Sequence, residues 1–133
     1  MAWLLDTHAL LWALFEPAKL GRKARSILEN ASSDVKISPV SYWEISLKSG
    51  LGKLSLPGTE PGEIPEAVRK LGLSEEPLSP EILATGHLLA RCPDHRDPFD
   101  RMTVWHALQS GGLLGSRARS LAFYDSFGLK RMW

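Results

Sequence analysis

The chain has 133 residues, 44% of them apolar, and a formal net charge of +1 at neutral pH. This length and apolar content are enough to bury one core, so residues 1–133 are expected to form a single domain. A near-neutral chain lacks the strong basic excess of many nucleic-acid-binding proteins. Any contact with nucleic acid must therefore depend on local patches of charge.

Cysteine content and hydropathy bear on the cellular compartment. The single cysteine, Cys92, cannot form an internal disulfide, and neither a CxxC motif nor a His/Cys cluster indicates zinc or redox chemistry. No apolar run reaches the roughly 20 residues that cross a bilayer. The N-terminus also lacks the order of basic, apolar and small residues found in secretion signals. We therefore expect a cytoplasmic protein that does not contact membranes.

Short apolar segments alternate with amphipathic segments from the N-terminus onward. Residues 2–5 predict a strand, and Asp6 or Thr7 can cap a helix that Pro17 stops. Residues 21–30 predict a second helix, whose apolar side chains share one face.

The middle of the chain repeats this order. Residues 35–38 predict a second strand, and Pro39 begins a helix that contains Glu44 and ends near Gly50. Residues 54–65 are rich in proline and glycine and predict an exposed loop. The remaining predicted elements are a helix at 65–71, an edge strand at 73–78, helices at 80–91 and 98–110, and strands at 113–114 and 129–133. This alternation predicts an α/β fold with a mainly parallel sheet covered on both faces.

Four carboxylates occupy positions from which one folded site can gather them. Asp6 directly follows the first predicted strand, Glu44 lies in the early turns of the helix after the second, and Asp97 and Asp100 open the helix at 98–110. Clustered acids repel one another, and a hard cation such as Mg²⁺ or Mn²⁺ relieves the repulsion. Divalent cations held by carboxylates activate water for phosphodiester hydrolysis.

Each acid also has a purely structural interpretation. Asp97 before a proline is a helix N-cap pattern, and Asp100 three residues later completes a capping-box-like pair. Asp6 is a candidate cap of the first helix, and Glu44 is a candidate surface ion-pair partner. Four such coincidences in one chain are less expected than a shared site.

Residues next to these acids are candidates for substrate binding. Thr7 follows an acid closely enough to hydrogen-bond a metal-bound water. His95, Arg96 and Arg101 surround the Asp97–Asp100 pair, where they either bind phosphate oxygens or offset the local negative charge.

Three segments together resemble one known family. LLDTHALLW, SPVSYWEISLKSGLGKL and HRDPFDRMTVWHAL are similar, in order and spacing, to the acid-bearing segments of PIN-domain ribonucleases. Within that family they resemble the VapC toxins of type II toxin-antitoxin pairs. The resemblance spans nearly the whole chain and implies a PIN-like, three-layer α/β/α fold.

The resemblance also implies a function. It assigns Asp6, Glu44 and Asp100 as catalytic residues that hold Mg²⁺ or Mn²⁺, with Asp97 as a further metal-binding acid. The implied reaction is hydrolysis of RNA by a metal-dependent endoribonuclease acting as a toxin. The implied partners are a cognate VapB-like antitoxin and, as in many similar proteins, a second copy of the chain. Apolar residues that either fill the core or form the antitoxin groove are Trp12, Phe15, Trp43, Leu47, Leu51 and Leu54.

One position departs from the family pattern. Ala118 stands where many members carry a further acid, which removes one ligand from a second metal site. An alternative function is therefore a catalytically weakened PIN-like module that binds RNA or protein. A nucleotide-binding α/β domain is disfavoured, because neither a GxGxxG nor a GxxxxGK[ST] loop follows the first strand.

Overall fold

A five-stranded parallel sheet forms the centre of the molecule. The computed structural model describes residues 2–116 and 119–131. Its strands are β1 (Trp3–Leu5), β2 (Val35–Ile37), β3 (Ser74–Glu75), β4 (Leu113–Gly115) and β5 (Lys130–Arg131). They are arranged in the order β3-β2-β1-β4-β5, and every neighbouring pair is parallel. The predicted final strand extends to 132 and 133, which lie outside the described residues, as does Ala118.

Helices connect the strands, as the alternating sequence pattern predicts. The α-helices are α1 (Thr7–Phe15), α2 (Gly21–Glu29), α3 (Pro39–Gly50), α4 (Ile64–Lys70), α5 (Pro80–Ala84) and α6 (Pro98–Gln109). The 3₁₀ helices are Pro17–Leu20, Pro61–Glu63, Gly86–Leu88 and Arg119–Phe127. Across residues 2–116 and 119–131, no helix has the length and apolar character needed to cross a bilayer.

Two hydrophobic cores lie on opposite faces of the sheet. Successive side chains of a strand point to opposite faces, so Leu4 and Leu5 enter different cores. Leu5 and Ile37 pack with residues of α1 to α4, whereas Leu4 and Leu114 pack with α6 and the 3₁₀ helix Arg119–Phe127. The predicted α/β/α arrangement of three layers is therefore confirmed.

Polar caps begin the helices that carry the acids. Asp6 caps α1. Ser38 caps α3 and Asp97 caps α6, and both of these caps directly precede a proline at the first helical position. Proline suits that position because its fixed φ matches the helix, and the N–H that it lacks would have no acceptor within the helix there. Because β1 and β2 end one residue before a cap, the helices α1 and α3 start at the carboxyl edge of the sheet.

The strand order changes sides at β1, although all the strands are parallel. The chain adds β2 and β3 on one side of β1 and later β4 and β5 on the other. Asp6 and Ser116 follow the carboxyl ends of the neighbouring strands β1 and β4, and the Asp6 amide donates to the Gly115 carbonyl (3.0 Å). Open α/β sheets form ligand sites at such a switch point.

The predicted helix at 80–91 is shorter in the structure. It ends at α5 and continues only as a 3₁₀ turn. The Trp105 indole donates to the Ile82 carbonyl (3.1 Å) and to Thr85 Oγ1 (3.2 Å), while the Thr85 hydroxyl donates to the Glu81 carbonyl (2.6 Å). The carbonyls of Glu81 and Ile82 accept hydrogen bonds from these side chains, and the α-helix ends at this point.

The edge strand predicted at 73–78 contains only two residues, in β3. Glu76 still donates its amide to the Ile37 carbonyl (2.9 Å). Pro77 follows and has no amide hydrogen to donate, so pairing with β2 stops there. The loop predicted at 54–65 includes the 3₁₀ helix Pro61–Glu63 near its end.

Candidate metal centre

Three carboxylates converge where α3 meets the start of α6. One oxygen from each of Glu44, Asp97 and Asp100 lies within 4.8 Å of the other two. Asp6 is not in this group of three, but it lines a cavity of about 150 Å³ together with Asp100. We call Asp6, Glu44, Asp97 and Asp100 the acidic centre. The fold thus gathers the four acids singled out from the sequence around one region.

Asp6 combines a structural contact with a place in the acidic centre. Its Oδ1 accepts a hydrogen bond from the Ala9 amide (2.8 Å), which caps α1. Burial raises the pKa of Asp6, and the nearby Glu44 carboxylate adds to the increase. A hydrogen bond from Ser116 opposes it.

Ser116 was not singled out from the sequence, although it is fully buried beside Asp6. It is the first polar residue after β4, just as Asp6 is the first after β1. That shared position at the carboxyl end of a strand is the signal that identifies it. Both residues line the cavity that contains Asp100.

Glu44 is a buried carboxylate with two donors, not a surface ion-pair partner. Only 3% of the residue is exposed. The Thr7 hydroxyl donates to its Oε1 (2.6 Å), and Lys48 donates to its Oε2. Thr7 Oγ1 also lies 2.9 Å from Ser41 Oγ. Because the Thr7 hydroxyl has a single hydrogen, the Ser41 hydroxyl must donate in that second contact.

Asp97 caps a helix and contributes to the acidic centre at once. Its Oδ1 accepts from the amides of Phe99 (2.9 Å) and Asp100 (3.1 Å). Its other oxygen, Oδ2, lies 3.8 Å from Lys48 Nζ. The capping interpretation and the metal-binding interpretation are therefore compatible, since they use different oxygens of one carboxylate.

The pKa of Asp100 reflects both its burial and the repulsion among the carboxylates of the acidic centre. Burial, followed by the charges of Asp97, Glu44 and Asp6, raises its pKa to about 6. The Lys48 ammonium opposes this increase. Carboxylates repel one another in this way when no cation neutralises them.

Lys48 is the cation that faces these acids. Its ammonium pairs with Glu44 one helical turn away and with Asp97 across the junction of α3 and α6. Burial works against the charged ammonium, but the hydrogen bond to Glu44 and the charges of Glu44, Asp97 and Asp100 outweigh it and raise the pKa of Lys48. Sequence reasoning did not single out Lys48, although its spacing of four residues from Glu44 is that of a helical ion pair.

The predicted substrate-binding residues lie next to the acidic centre in different environments. His95 is buried, and its Nδ1 lies 2.9 Å from the Tyr124 hydroxyl. Burial and the Arg101 charge lower the pKa of His95. Arg101 donates to the carbonyl of Leu89 (3.1 Å), while Arg96 is exposed. Thr7, the fourth of these residues, directs its hydroxyl hydrogen to Glu44.

The donor set suits a hard divalent cation. Glu44, Asp97 and Asp100 offer carboxylate oxygens alone, with no thiolate or imidazole in the group. Mg²⁺ and Mn²⁺ prefer oxygen ligands, and Mg²⁺ completes its shell with water. Burial is the largest cause of the raised pKa of Asp100, and the charges of Asp97, Glu44 and Asp6, which add to it, are those that a bound cation would offset. The residues present therefore fit the cation that the sequence motifs imply.

Known proteins with similar sequences agree with the motifs noted above. Ribonuclease VapC16 of Mycobacterium tuberculosis (strain ATCC 25618 / H37Rv) is 32% identical over 65 residues. The match covers 49% of this chain and 45% of that protein, so the chain spans less than half the length of this relative. The family model of the PIN domain matches residues 3–117. Because this match covers well over half of the 133 residues, the chain belongs to the PIN domain family.

Proposed function

We propose that this chain is a Mg²⁺- or Mn²⁺-dependent endoribonuclease that hydrolyses phosphodiester bonds of RNA. The observation that carries the proposal is the convergence of Glu44, Asp97 and Asp100 within 4.8 Å at the carboxyl edge of a PIN-domain sheet. The name of the relative, a ribonuclease, supports RNA as the substrate. Under this proposal the chain acts in the cytoplasm.

In the proposed reaction, Asp6, Glu44 and Asp100 hold the cation, and Asp97 contributes an additional carboxylate. A bound divalent ion would supply a more acidic water and would neutralise charge on the phosphate. Thr7 orients the Glu44 carboxylate through its 2.6 Å hydrogen bond. Such supporting hydrogen bonds hold a ligand in the geometry that a cation requires.

We also propose that the chain is the toxin of a type II pair, neutralised by a cognate VapB-like antitoxin. The similarity to Ribonuclease VapC16 supports this proposal. So does a cavity of about 230 Å³ between α1 and the segment 54–57, lined by Trp12, Phe15, Leu54 and Leu56 among others. An apolar groove of this kind suits a helix or an extended segment of a partner. A homodimer or a hetero-oligomer with the antitoxin is the assembly we expect.

Metal-stripped protein and single-stranded RNA test the enzymatic proposal. Addition of Mg²⁺ or Mn²⁺ should restore cleavage in the wild type. Asp6→Ala and Asp100→Asn should abolish cleavage while the circular dichroism spectrum stays that of the wild type. Asp34→Asn is the matched control, because Asp34 is an exposed acid that directly precedes β2, at the edge of the sheet opposite the acidic centre. Cleavage by Asp100→Asn at the wild-type rate would refute the assignment.

A catalytically weakened module that binds RNA or protein is the second candidate. Two points favour it: the family resemblance places Ala118 where many members carry an acid, and the Lys48 ammonium already neutralises part of the acidic centre. Titration calorimetry with Mn²⁺ separates the two candidates. Absence of heat at millimolar Mn²⁺, with RNA still bound, would favour the binding module.

A further inference from the structure

A basic cavity lies beside the acidic centre. It measures about 630 Å³, and its lining includes His87, Arg91, His95, Arg96 and Arg101. We call it the basic cavity. Among the described residues that line it there is no carboxylate, and Asp94, although it lies in the same turn of the chain, is not one of them. The cavity therefore concentrates positive charge in a chain whose net charge is only +1.

Not every arginine in this lining is available to a ligand. The Arg101 guanidinium donates to the carbonyls of Leu89 (3.1 Å) and Ala90 (3.3 Å) and to the Tyr124 hydroxyl (3.1 Å). These bonds hold the loop before α6 against the core that contains Leu4 and Leu114. Arg101 thus contributes charge to the basic cavity, while most of its donors serve the fold.

Arg91 and Arg96 are the arginines with donors to offer. Both are exposed, and neither forms an ion pair with any acid in the part of the chain that the structure describes. Arg96 Nε donates to the Pro93 carbonyl (3.0 Å), which fixes the orientation of a guanidinium whose terminal nitrogens carry the other donors. An oriented guanidinium loses less entropy when it binds a phosphate.

The basic cavity adjoins the acidic centre. His95 lines the basic cavity and also the smaller cavity that contains Asp6 and Asp100. Arg101 lines the basic cavity, and the preceding residue, Asp100, lines the other. The two cavities therefore share His95 as a lining residue and lie side by side.

We propose that the basic cavity is a phosphate-binding subsite in which Arg91 and Arg96 hold a backbone phosphate of the RNA strand next to the phosphate that is cleaved. This inference rests on the proposed ribonuclease function. Arginine recognises phosphate through paired N–H donors. Contacts to phosphate position a strand but do not read its bases, so the subsite contributes to binding irrespective of RNA sequence. Within residues 2–116 and 119–131, no Phe, Tyr or Trp lines the cavity, which fits a site for backbone and not for stacked bases.

Fluorescence anisotropy with labelled single-stranded RNA tests the subsite. The measurement uses Asp100→Asn as the background in Mg²⁺, so that the RNA stays intact. Arg91→Gln/Arg96→Gln should weaken binding of two unrelated RNA sequences to a similar extent, by roughly tenfold at low salt. The salt dependence of log K should become shallower by about 1.4, because each lost contact to single-stranded RNA reduces the slope by about 0.7.

Arg22→Gln/Arg25→Gln is the matched control. It removes the same two charges by the same substitution from α2, where Arg25 already pairs with Glu29. These arginines line a different cavity that shares no residue with the acidic centre. An equal loss of RNA binding in both double variants would show a general effect of charge and would overturn the proposal, as would unchanged binding in the Arg91/Arg96 variant or a loss confined to one RNA sequence.

A neutral methylphosphonate moved along the RNA backbone locates the contact. At one position, the neutral linkage should weaken RNA binding to the protein that keeps both arginines but not to the Arg91→Gln/Arg96→Gln protein. In wild-type protein, that position should lie within one or two linkages of the cleaved bond. Absence of any such position overturns the subsite. Failure of the wild type to cleave RNA in Mg²⁺ would instead overturn the ribonuclease proposal, and the anisotropy measurement separates these two results because it needs no cleavage.

Discussion

Replacement of Lys48 by methionine should destabilise the metal-free protein and strengthen its binding of Mn²⁺. The Lys48 ammonium donates to Glu44 Oε2 and lies 3.8 Å from Asp97 Oδ2. Methionine keeps much of the aliphatic stem and removes the charge. Without the ammonium, Glu44 retains only the hydroxyl of Thr7 as a hydrogen-bond donor among the described contacts.

The size of the effect follows from the burial of the two partners. At about 4 Å and an effective dielectric constant of about 20, one ion pair contributes roughly 4 kcal/mol of Coulomb attraction. Desolvation offsets much of this gain, since Glu44 is 3% exposed, and the Lys48 side chain remains 31% exposed to screening solvent. We therefore expect the free energy of unfolding to fall by about 2 kcal/mol. For a chain of this size the melting temperature should fall by roughly 5–10 °C.

The free energy that Lys48→Met removes from metal-free stability should appear as a gain in the free energy of Mn²⁺ binding. A divalent cation at Glu44 and Asp97 must displace the ammonium in the wild type but not in Lys48→Met. Since 1.4 kcal/mol corresponds to a factor of ten, about 2 kcal/mol predicts roughly thirtyfold tighter Mn²⁺ binding. Saturating Mn²⁺ should then remove most of the difference in melting temperature, because bound metal stabilises the variant more.

Scanning calorimetry without metal and Mn²⁺ titration calorimetry measure these two quantities. Lys53→Met is the matched control, because Lys53 is exposed and forms no ion pair within the described residues. Lys48→Arg should stay close to the wild type in metal-free stability, since it keeps the charge. Equal or weaker Mn²⁺ binding by Lys48→Met would refute the reasoning that ammonium and metal compete for the same oxygens.

Three further predictions concern the surroundings of the acidic centre. Thr7→Val should weaken Mn²⁺ binding by roughly 10–100-fold, because Glu44 loses the donor that orients it, and Thr7→Ser should restore binding in the same titration. Since folding raises the pKa of Asp100 from 3.8 to about 6, the metal-free protein should lose stability as pH rises from 4 through 6. In urea titrations that loss should be smaller by about 2 kcal/mol in Asp100→Asn, and an unchanged pH profile would contradict the shift. His106→Phe should lower the free energy of unfolding by about 3 kcal/mol, because the buried ring bonds Ser38 (2.9 Å); a change below about 1 kcal/mol in urea would contradict this.

Local sequence signals accounted for most of the secondary structure. Asp6, Pro39 and Pro98 mark helix starts that the structure reproduces, because caps and proline act on the backbone within one turn. The helix predicted at 80–91 was too long for the opposite reason. Its end depends on the Trp105 indole of α6, which lies 20 residues after Thr85 and 23 after Ile82 in the chain.

Three of the four acids stand directly after a strand or at the start of a helix, and Glu44 lies inside the helix that follows β2. Parallel strands bring such positions to one edge of the sheet, so the sequence could predict that the acids meet. The side chains that contact these acids and set their charge were not predicted from the sequence. The spacing of Lys48 from Glu44 indicates a helical ion pair, but the approach of Lys48 to Asp97, the cap of α6, is visible only in the structure. The same holds for Ser116, which reaches Asp6 because β4 pairs with β1.

Sequence by itself determined the order of strands and helices, the two-faced pattern of the sheet and the identity of the acidic side chains, because these follow from residue type and short-range periodicity. Tertiary structure alone decided which charges meet. It placed the Lys48 ammonium among the acids, assigned most Arg101 donors to the backbone and left Arg91 and Arg96 facing an open cavity. Coulomb energy depends on distance in space and on burial, and spacing along the chain sets that distance only within one helix, as for Glu44 and Lys48, and not between separate elements.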